Sequence, residues 1–477
     1  MTTTDPDMSA DPAGAPQPPA VSGDVVPFRA ATRAWFSISL QTFGGPAGQI
    51  AVMQRHLVDE RRWIGQKRFL HALNYCMLLP GPEAQQLAIY VGWLLNGLRG
   101  GLVAGILFVL PGLVALLALS AVYVGFGDTT VVTALFAGLA PAVIAIVVQA
   151  VWRVGTRALA NPVLVGFAVA AFAALAVFGV PFPIVVAAAA LAGWALHRWR
   201  PGLITTTGGH KAGGEDGPAP LIADDALHHD RPSGRRAAVI LTVGVAVWFV
   251  PVGVVAALTG IGSIYTQQGL FFSGTAVITF GGAYAVLAHV AQRAVEDYGW
   301  LSTGDMVRGL ALAESTPGPL IMVVQFVAFL GAYHHPGNLN PWTAGVVASL
   351  LTTWVTFVPC FLFILLGAPY VERLRGNRSL SAALTGITAA VVGVIANLGL
   401  YFAVHTLFGA SRTITHGPLQ VELPDPGTIQ PVPVAITAIA TVLIFTLQWS
   451  VLRVLAVSAA LGLAAALIGL PVTQGLA

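Results

Sequence analysis

Charge is what this chain has least of. Of its 477 residues only 9% are Asp, Glu, Lys or Arg, against about 25% in a soluble domain. The 20 acidic and 23 basic side chains are too few to solvate two or three globular domains. Cysteine is scarce as well: Cys76 and Cys360 are the only two, and both lie in apolar stretches. Two thiols argue against a disulfide framework and against a metal site, which usually takes three or four ligands. No signal peptide is expected at the start. Residues 1–27 carry Asp5, Asp7, Asp11 and Asp24 and no Lys or Arg, whereas a secretory signal has a basic start and an apolar run. That stretch reads as a disordered tail. No G-x-x-x-x-G-K-[ST] sequence occurs, so a Walker-type ATPase is excluded as the driving force.

Apolar residues are what the chain has instead, at 56%. Runs long enough to cross a bilayer, about 18 residues or more, recur from residue 33 to the C-terminus. They fall at 33–53, 69–97, 101–126, 131–152, 160–179, 181–197, 237–259, 269–292, 306–332, 341–367, 380–407, 431–449 and 454–471, thirteen in all. A soluble enzyme, a nucleic-acid-binding domain and a disordered chain are ruled out. Backbone groups in hydrocarbon must pair within their own segment, so the runs are helices; a barrel would show alternating segments of about ten residues. The expected fold is an all-α polytopic membrane protein. A net charge of +3 and a pI near 9.0 fit basic cytoplasmic loops. Residues 198–236 form one long polar linker, expected to be cytoplasmic.

An internal repeat organises the rest. Thr42-Phe43-Gly44-Gly45 recurs as Thr279-Phe280-Gly281-Gly282, 237 residues later. Trp63 recurs as Trp300 and Pro80-Gly81-Pro82 as Pro317-Gly318-Pro319 at the same offset. Across 42–82 against 279–319, 11 of 41 positions are identical without a gap. A second block aligns at offset 248, matching Pro111 with Pro359, Gly138 with Gly386 and Gln149 with Asn397. The expected organisation is therefore a tail (1–27), a first repeat (28–197), the linker (198–236), a connecting helix (237–259) and a second repeat (260–477). Six segments plus one connecting segment is an odd number, so the second repeat enters the membrane upside down. Inverted repeats are a transporter architecture with a site near the midplane. With the motif segments re-entrant and the N-terminus inside, 20 of the 23 Lys and Arg face the cytoplasm. With full crossings the split is 17 to 6. The positive-inside rule prefers the re-entrant version.

Pro-Gly-Pro inside an apolar segment breaks a helix, because proline lacks a donor and clashes with the preceding turn. The break exposes the N-terminal amides of the second half-helix, which carry positive partial charge and favour an anion. The repeat supplies a second such end, and Gly44-Gly45 and Gly281-Gly282 add close backbone approach. Of the acidic residues, Glu83 and Glu314 lie well inside apolar segments, each beside a Pro-Gly-Pro. Carboxylates at membrane depth are functional candidates by default, and burial lets them carry protons. Glu83 can alternatively cap its half-helix. Glu314, near a half-helix C-terminus, needs a proton or a partner, and Arg308 is the candidate. Gln85, Gln86, Gln149 and Asn397 either line a polar path or bond between helices. Arg55, Arg61, Arg62, Lys67 and Arg68 form a basic loop that anchors topology or draws an anion in. No cofactor and no metal ligand set is expected.

These residues resemble the bacterial chromate transporter family. Phe43-Gly44-Gly45-Pro46, the basic stretch ending in Arg61-Arg62-Trp63, and Leu79-Pro80-Gly81-Pro82-Glu83-Ala84-Gln85-Gln86 look like its first half. Phe280-Gly281-Gly282 and Glu314-Ser315-Thr316-Pro317-Gly318-Pro319 look like its second. The resemblance runs from about residue 30 to the C-terminus. It implies a long-chain, two-domain inner-membrane protein that exports chromate and confers resistance, with sulfate as competitor. The expected partners are chromate- or sulfate-like dianions and the lipid bilayer, with no nucleic acid; a homodimer is left open. A sulfate or other oxyanion permease, or a sensor that binds the anion without moving it, is the alternative. An enzyme is not expected.

Overall fold

A computed structural model of the chain describes residues 24–43, 45–127, 129–200, 220–222, 233–280, 282–367, 378–417 and 419–470. Most of the acidic tail and of the 198–236 linker, together with Gly44 and Gly281, lies outside the described residues.

The described residues are overwhelmingly helical. The first apolar run is two helices, α1 (Phe28–Ser39) and α2 (Gly45–Gln54), parted at the Phe-Gly-Gly stretch. The second is also divided, into α3 (Gln66–Cys76) and α4 (Glu83–Phe126), at Pro-Gly-Pro. Asn96 and Gly97 leave helical geometry inside α4, so it is two pieces, 83–95 and 98–126. Then come α5 (Thr130–Ala158), α6 (Pro162–Ala176), α7 (Phe182–Trp199) and α8 (Gly234–Thr259). The second half repeats the pattern: α9 (Ile264–Ile278), α10 (Ala283–Gln292), α11 (Thr303–Ser315), a 3-10 turn at Leu320–Met322, and α12 (Val323–His334). It ends with α13 (Pro341–Gly367), α14 (Arg378–Leu407), α15 (Pro431–Phe445) and α16 (Val451–Leu467). Among the described residues six helices, α4, α5, α7, α8, α13 and α14, are long and apolar enough to cross a bilayer, and four shorter apolar helices accompany them. This is an all-α, multi-pass membrane protein with one small exception. Strands β1 (Ser411–His416) and β2 (Leu419–Pro424) form an antiparallel hairpin between α14 and α15, which the apolar pattern does not announce.

Helix starts follow local chemistry. Ser302 and Asp305 close a capping box at the start of α11, satisfying two orphan amides. Asn161 caps α6 ahead of Pro162 at the first helical position, where a missing N–H does no harm.

The repeat extends to backbone detail. A π-helical turn closes α2 at Arg55–Glu60 and α10 at Arg293–Asp297. Left-handed residues recur in register at the 237 offset: Gly45 with Gly282, Arg62 with Gly299, Gly81 with Gly318. A third block appears at offset 269, pairing Pro162 with Pro431 and Gly193 with Gly462. The β-hairpin fills the extra length. On the 98–126 piece of α4, Gly105 meets Phe361 and Gly125 meets Trp342, so this piece and α13, its repeat mate, run antiparallel.

The two repeats interlock. Helix α5 of the first packs against α15 and α16 of the second, and α14 of the second packs against α6 and α7 of the first. Glycines permit both crossings: a Cβ on Gly138 would lie 2.0 Å from the Ser458 carbonyl, and one on Gly386 would lie 2.6 Å from the Ala189 carbonyl. Small residues at helix crossings are the usual membrane solution. The remaining helices form a second body in which α13 packs against α4, α8, α9 and α12. The linker enters the core as well. Leu221 and Ile222 donate to the Arg62 and Trp63 carbonyls at 3.0 Å, and the Gly65 amide donates to Ile222 at 3.1 Å.

Candidate functional site

Each Pro-Gly-Pro break is closed by the other repeat. The Gly81 amide donates to the Thr279 carbonyl at 2.8 Å, and the Gly318 amide donates to the Thr42 carbonyl at 3.0 Å. Thr42 and Thr279 precede the two Phe-Gly-Gly stretches, so each motif of one repeat meets the complementary motif of the other. The amides expected to be open to an anion are those of the half-helix beyond each break; the Gly81 and Gly318 amides hold the halves together. Leaving one such buried donor unmet costs about 1–3 kcal/mol. Gly81 and Gly318 have φ of +116° and +105°, a region that strains other residues. The exchange extends one layer further. A Cβ on Gly81 would lie 2.9 Å from Cys360 Sγ, and one on Gly318 would lie 3.2 Å from Gly112 Cα. Cys360 and Gly112 follow the matched Pro359 and Pro111.

The amides beyond the breaks are the ones left for a ligand. Helix α4 begins after Pro82 with no side-chain cap, and its first backbone bond is from Gln86 to Pro82. The α12 side begins after Pro319 in the same way, with Met322 bonding back to Pro319. Polar groups lie at the first break and along α13, which meets it at Cys360. Gln86 Nε2 donates to the Pro80 carbonyl at 2.6 Å. Gln85 is fully buried, with neither end of its amide bonded among the described residues. Thr352 and Thr356, two turns and one turn before Cys360 on α13, carry buried hydroxyls without partners among the described residues. Glu83 sits partly buried at the first helical position of α4, with no hydrogen-bond partner among the described residues.

At the second break Glu314 is 2% exposed and accepts a hydrogen bond from the Tyr284 hydroxyl. The expected pairing with Arg308 is not made. Arg308 lies 3.6 Å from Asp305 and donates to the Tyr123 hydroxyl at 2.8 Å. Spacing alone placed Arg308 within reach of Glu314, but the Asp305 carboxylate one turn back on α11 takes it. Gln49, not singled out from the sequence, bonds the Gly318 carbonyl at 2.6 Å while itself buried. An amide inside an apolar run was the available signal.

Other candidates lie away from the breaks. Gln149 and Asn397 are partly buried on α5 and α14 and bond to no described side chain. Glu60 neutralises part of the basic loop. Arg55 and Arg61 lie 3.5 and 3.6 Å from Glu60, and His56 lies 2.6 Å from it. Arg68 is buried against Tyr90, Arg62 anchors the linker through its carbonyl, and Lys67 is exposed. Phe43 and Phe280 are partly buried at the bonded threonines. Gly45 and Gly282 have open space where a Cβ would stand, so their requirement is backbone freedom.

The family described as Chromate transporter matches residues 30–194 and 266–465. The chain belongs to the chromate transporter family. Its members are transporters, so the protein is not an enzyme. Among the relatives, the chromate transport protein of Pseudomonas aeruginosa is 33% identical over 371 residues, 76% of this chain and 77% of its own. That of Cupriavidus metallidurans is 28% identical over 74% of this chain and 77% of its own. The probable chromate transport protein of Synechococcus elongatus is 25% identical over 83% of this chain and 91% of its own. No solved structure matches.

Proposed function

We propose that this chain is a secondary-active transporter that carries chromate out of the cytoplasm by alternating access and so confers chromate resistance, with sulfate competing for the site. The observation that carries the reading is the reciprocal exchange Gly81 to Thr279 and Gly318 to Thr42. It gathers two half-helix N-termini around one crossing inside a family of chromate transporters. Two positive helix ends suit a tetrahedral dianion. The antiparallel course of α13 and the 98–126 piece of α4 supports an inverted repeat, because a two-fold relating antiparallel helices lies across them. The basic loops support a cytoplasmic N-terminus, and the likeness to bacterial chromate transport proteins supports an inner-membrane location.

The interlocked helices bear on which parts move. Whole repeats cannot rock against each other while α5 and α14 are clasped by the opposite half. The moving body is the motif-bearing set, α2–α4 and α10–α13, against the α5–α7 and α14–α16 clasp.

Radiolabelled chromate uptake into everted vesicles, with and without a pH gradient and with excess sulfate, tests the reading. Gradient-dependent accumulation that sulfate suppresses is expected. No accumulation at full expression would refute it.

A further inference from the structure

A dianion at membrane depth needs more than helix ends. Each isolated charge there is expensive and is normally matched, and the two break-point glycine amides are already spent. A cation must supply the balance. Arg99, Arg293 and Arg308 are each in an ion pair, and Arg55 and Arg61 lie within reach of Glu60. Arg153 is different. It lies on α5, one turn after Gln149 on the same face, since residues four apart share a face. It is partly buried and forms no ion pair among the described residues. Helix α5 packs against α11, which carries Glu314, and Arg153 acts electrostatically on both Glu314 and Tyr284.

The spacing is informative. A counter-ion for Glu314 would close to salt-bridge distance. Here Tyr284 takes the carboxylate and the guanidinium stands farther off. Its repeat mate at offset 248 is Tyr401, which bonds Thr303 at the opposite end of α11 at 3.1 Å. Only the first repeat places a cation at this position, on the helix that packs against the one carrying the buried acid.

We propose that Arg153 is the cation that binds the transported oxyanion, presented from the clasp toward the second Pro-Gly-Pro break, with Gln149 beside it as a further donor. A guanidinium offers two parallel N–H groups that match two oxygens of a tetrahedral oxyanion. The inference rests on the transporter reading above and names the residue that selects for anionic charge. It also places the substrate between the two bodies, where a binding group on each side is needed if the anion is to hold them together.

The test is chromate uptake by vesicles carrying Arg153→Gln, Arg153→Lys, and Arg153→Gln combined with Glu314→Gln, each normalised to membrane-inserted protein. Arg153→Gln is expected to raise KM by at least about tenfold, the loss of one charge-assisted contact. Arg153→Lys should keep part of the affinity. The double variant should stay as weak as Arg153→Gln. Recovery of wild-type KM in the double variant would show that Arg153 serves only Glu314 and would overturn the proposal, as would an unchanged KM in Arg153→Gln. Should Arg153→Gln fail to insert, Arg153→Cys in a Cys76→Ala/Cys360→Ala background offers a second route. Modification by an aminoethyl methanethiosulfonate should restore affinity, and no restoration counts against the proposal. If wild-type vesicles move sulfate and no chromate, the substrate reading falls, while the same variants read with sulfate still decide the role of Arg153.

Discussion

The two motif regions share a backbone and differ in what surrounds it. Both have the π-turn, the left-handed glycines and the crossed amide bond. Their side chains diverge. Met77 is 47% exposed, while Glu314 at the matching position is 2% exposed. Asn74 is exposed where Ala311 is fully buried. Glu83 opens α4 in the first repeat, and Leu320 takes its place in the second. Helices α10 and α11 pack against the clasp formed by α5 and α14, whereas α2 and α3 pack chiefly within their own body. One fold drawn twice thus gives one tight and one open half. A symmetric scaffold holding an asymmetric state is what the proposed alternating access requires, because exchanging the two environments converts one orientation into the other.

The largest expected effect breaks both halves alike. Gly81→Val and Gly318→Val each place a branched side chain at a strongly positive φ, so each should abolish uptake while membrane insertion persists. Wild-type flux in either would remove the breaks from the mechanism. Next comes a contrast between mates. Gly112→Ala drives a Cβ to 2.6 Å from the Pro317 carbonyl, a backbone atom that cannot step aside. Overpacking of this kind costs about 1–3 kcal/mol. Cys360→Ala removes only a thiol beside Gly81, so thermal unfolding in detergent should show Gly112→Ala as clearly the less stable. The reverse order would contradict the packing described. Exposure gives a third test. In a background without Cys76 and Cys360, Asn74→Cys should react with a membrane-impermeant maleimide and Ala311→Cys should not. Equal labelling would erase the asymmetry.

The smallest effect concerns the entrance to the first repeat. Hydrogen bonds from Asn96 and Arg99 hold the Asp24 carboxyl below the usual carboxylate range. A depressed folded-state value means that the contact stabilises above the ordinary pKa of about 3.9 and is lost as pH falls through the lower folded value. Asp24→Asn should lower the melting temperature slightly at pH 7, and the difference should shrink in acid. The second repeat has no equivalent tether in Arg99, since position 347 of that register is Val347.

Much of the fold was legible because lipid imposes it. Apolar runs had to be helices, and Pro-Gly-Pro had to interrupt them. The hairpin at 411–424 was not legible, since it lies in a loop where hydropathy carries no membrane signal. Nor was the interlocking of α5 and α14, because which apolar face meets which neighbour leaves no mark on composition. Of the candidate site, the breaks and the burial of Glu314 could be read from residue type and depth. Tyr284 could not, because tyrosine is ordinary in a membrane segment. Arg153 sits at the end of its apolar run and reads as a topology anchor. The pairing of Gly81 with Thr279 joins residues almost two hundred positions apart, and only the repeat itself hinted at it.

The most direct test is reconstitution. Purified protein in proteoliposomes should drive chromate flux down an imposed gradient in the wild type, and none in Gly81→Val or Gly318→Val at equal protein content. Flux absent from the wild type, or equal in all three, would contradict the account.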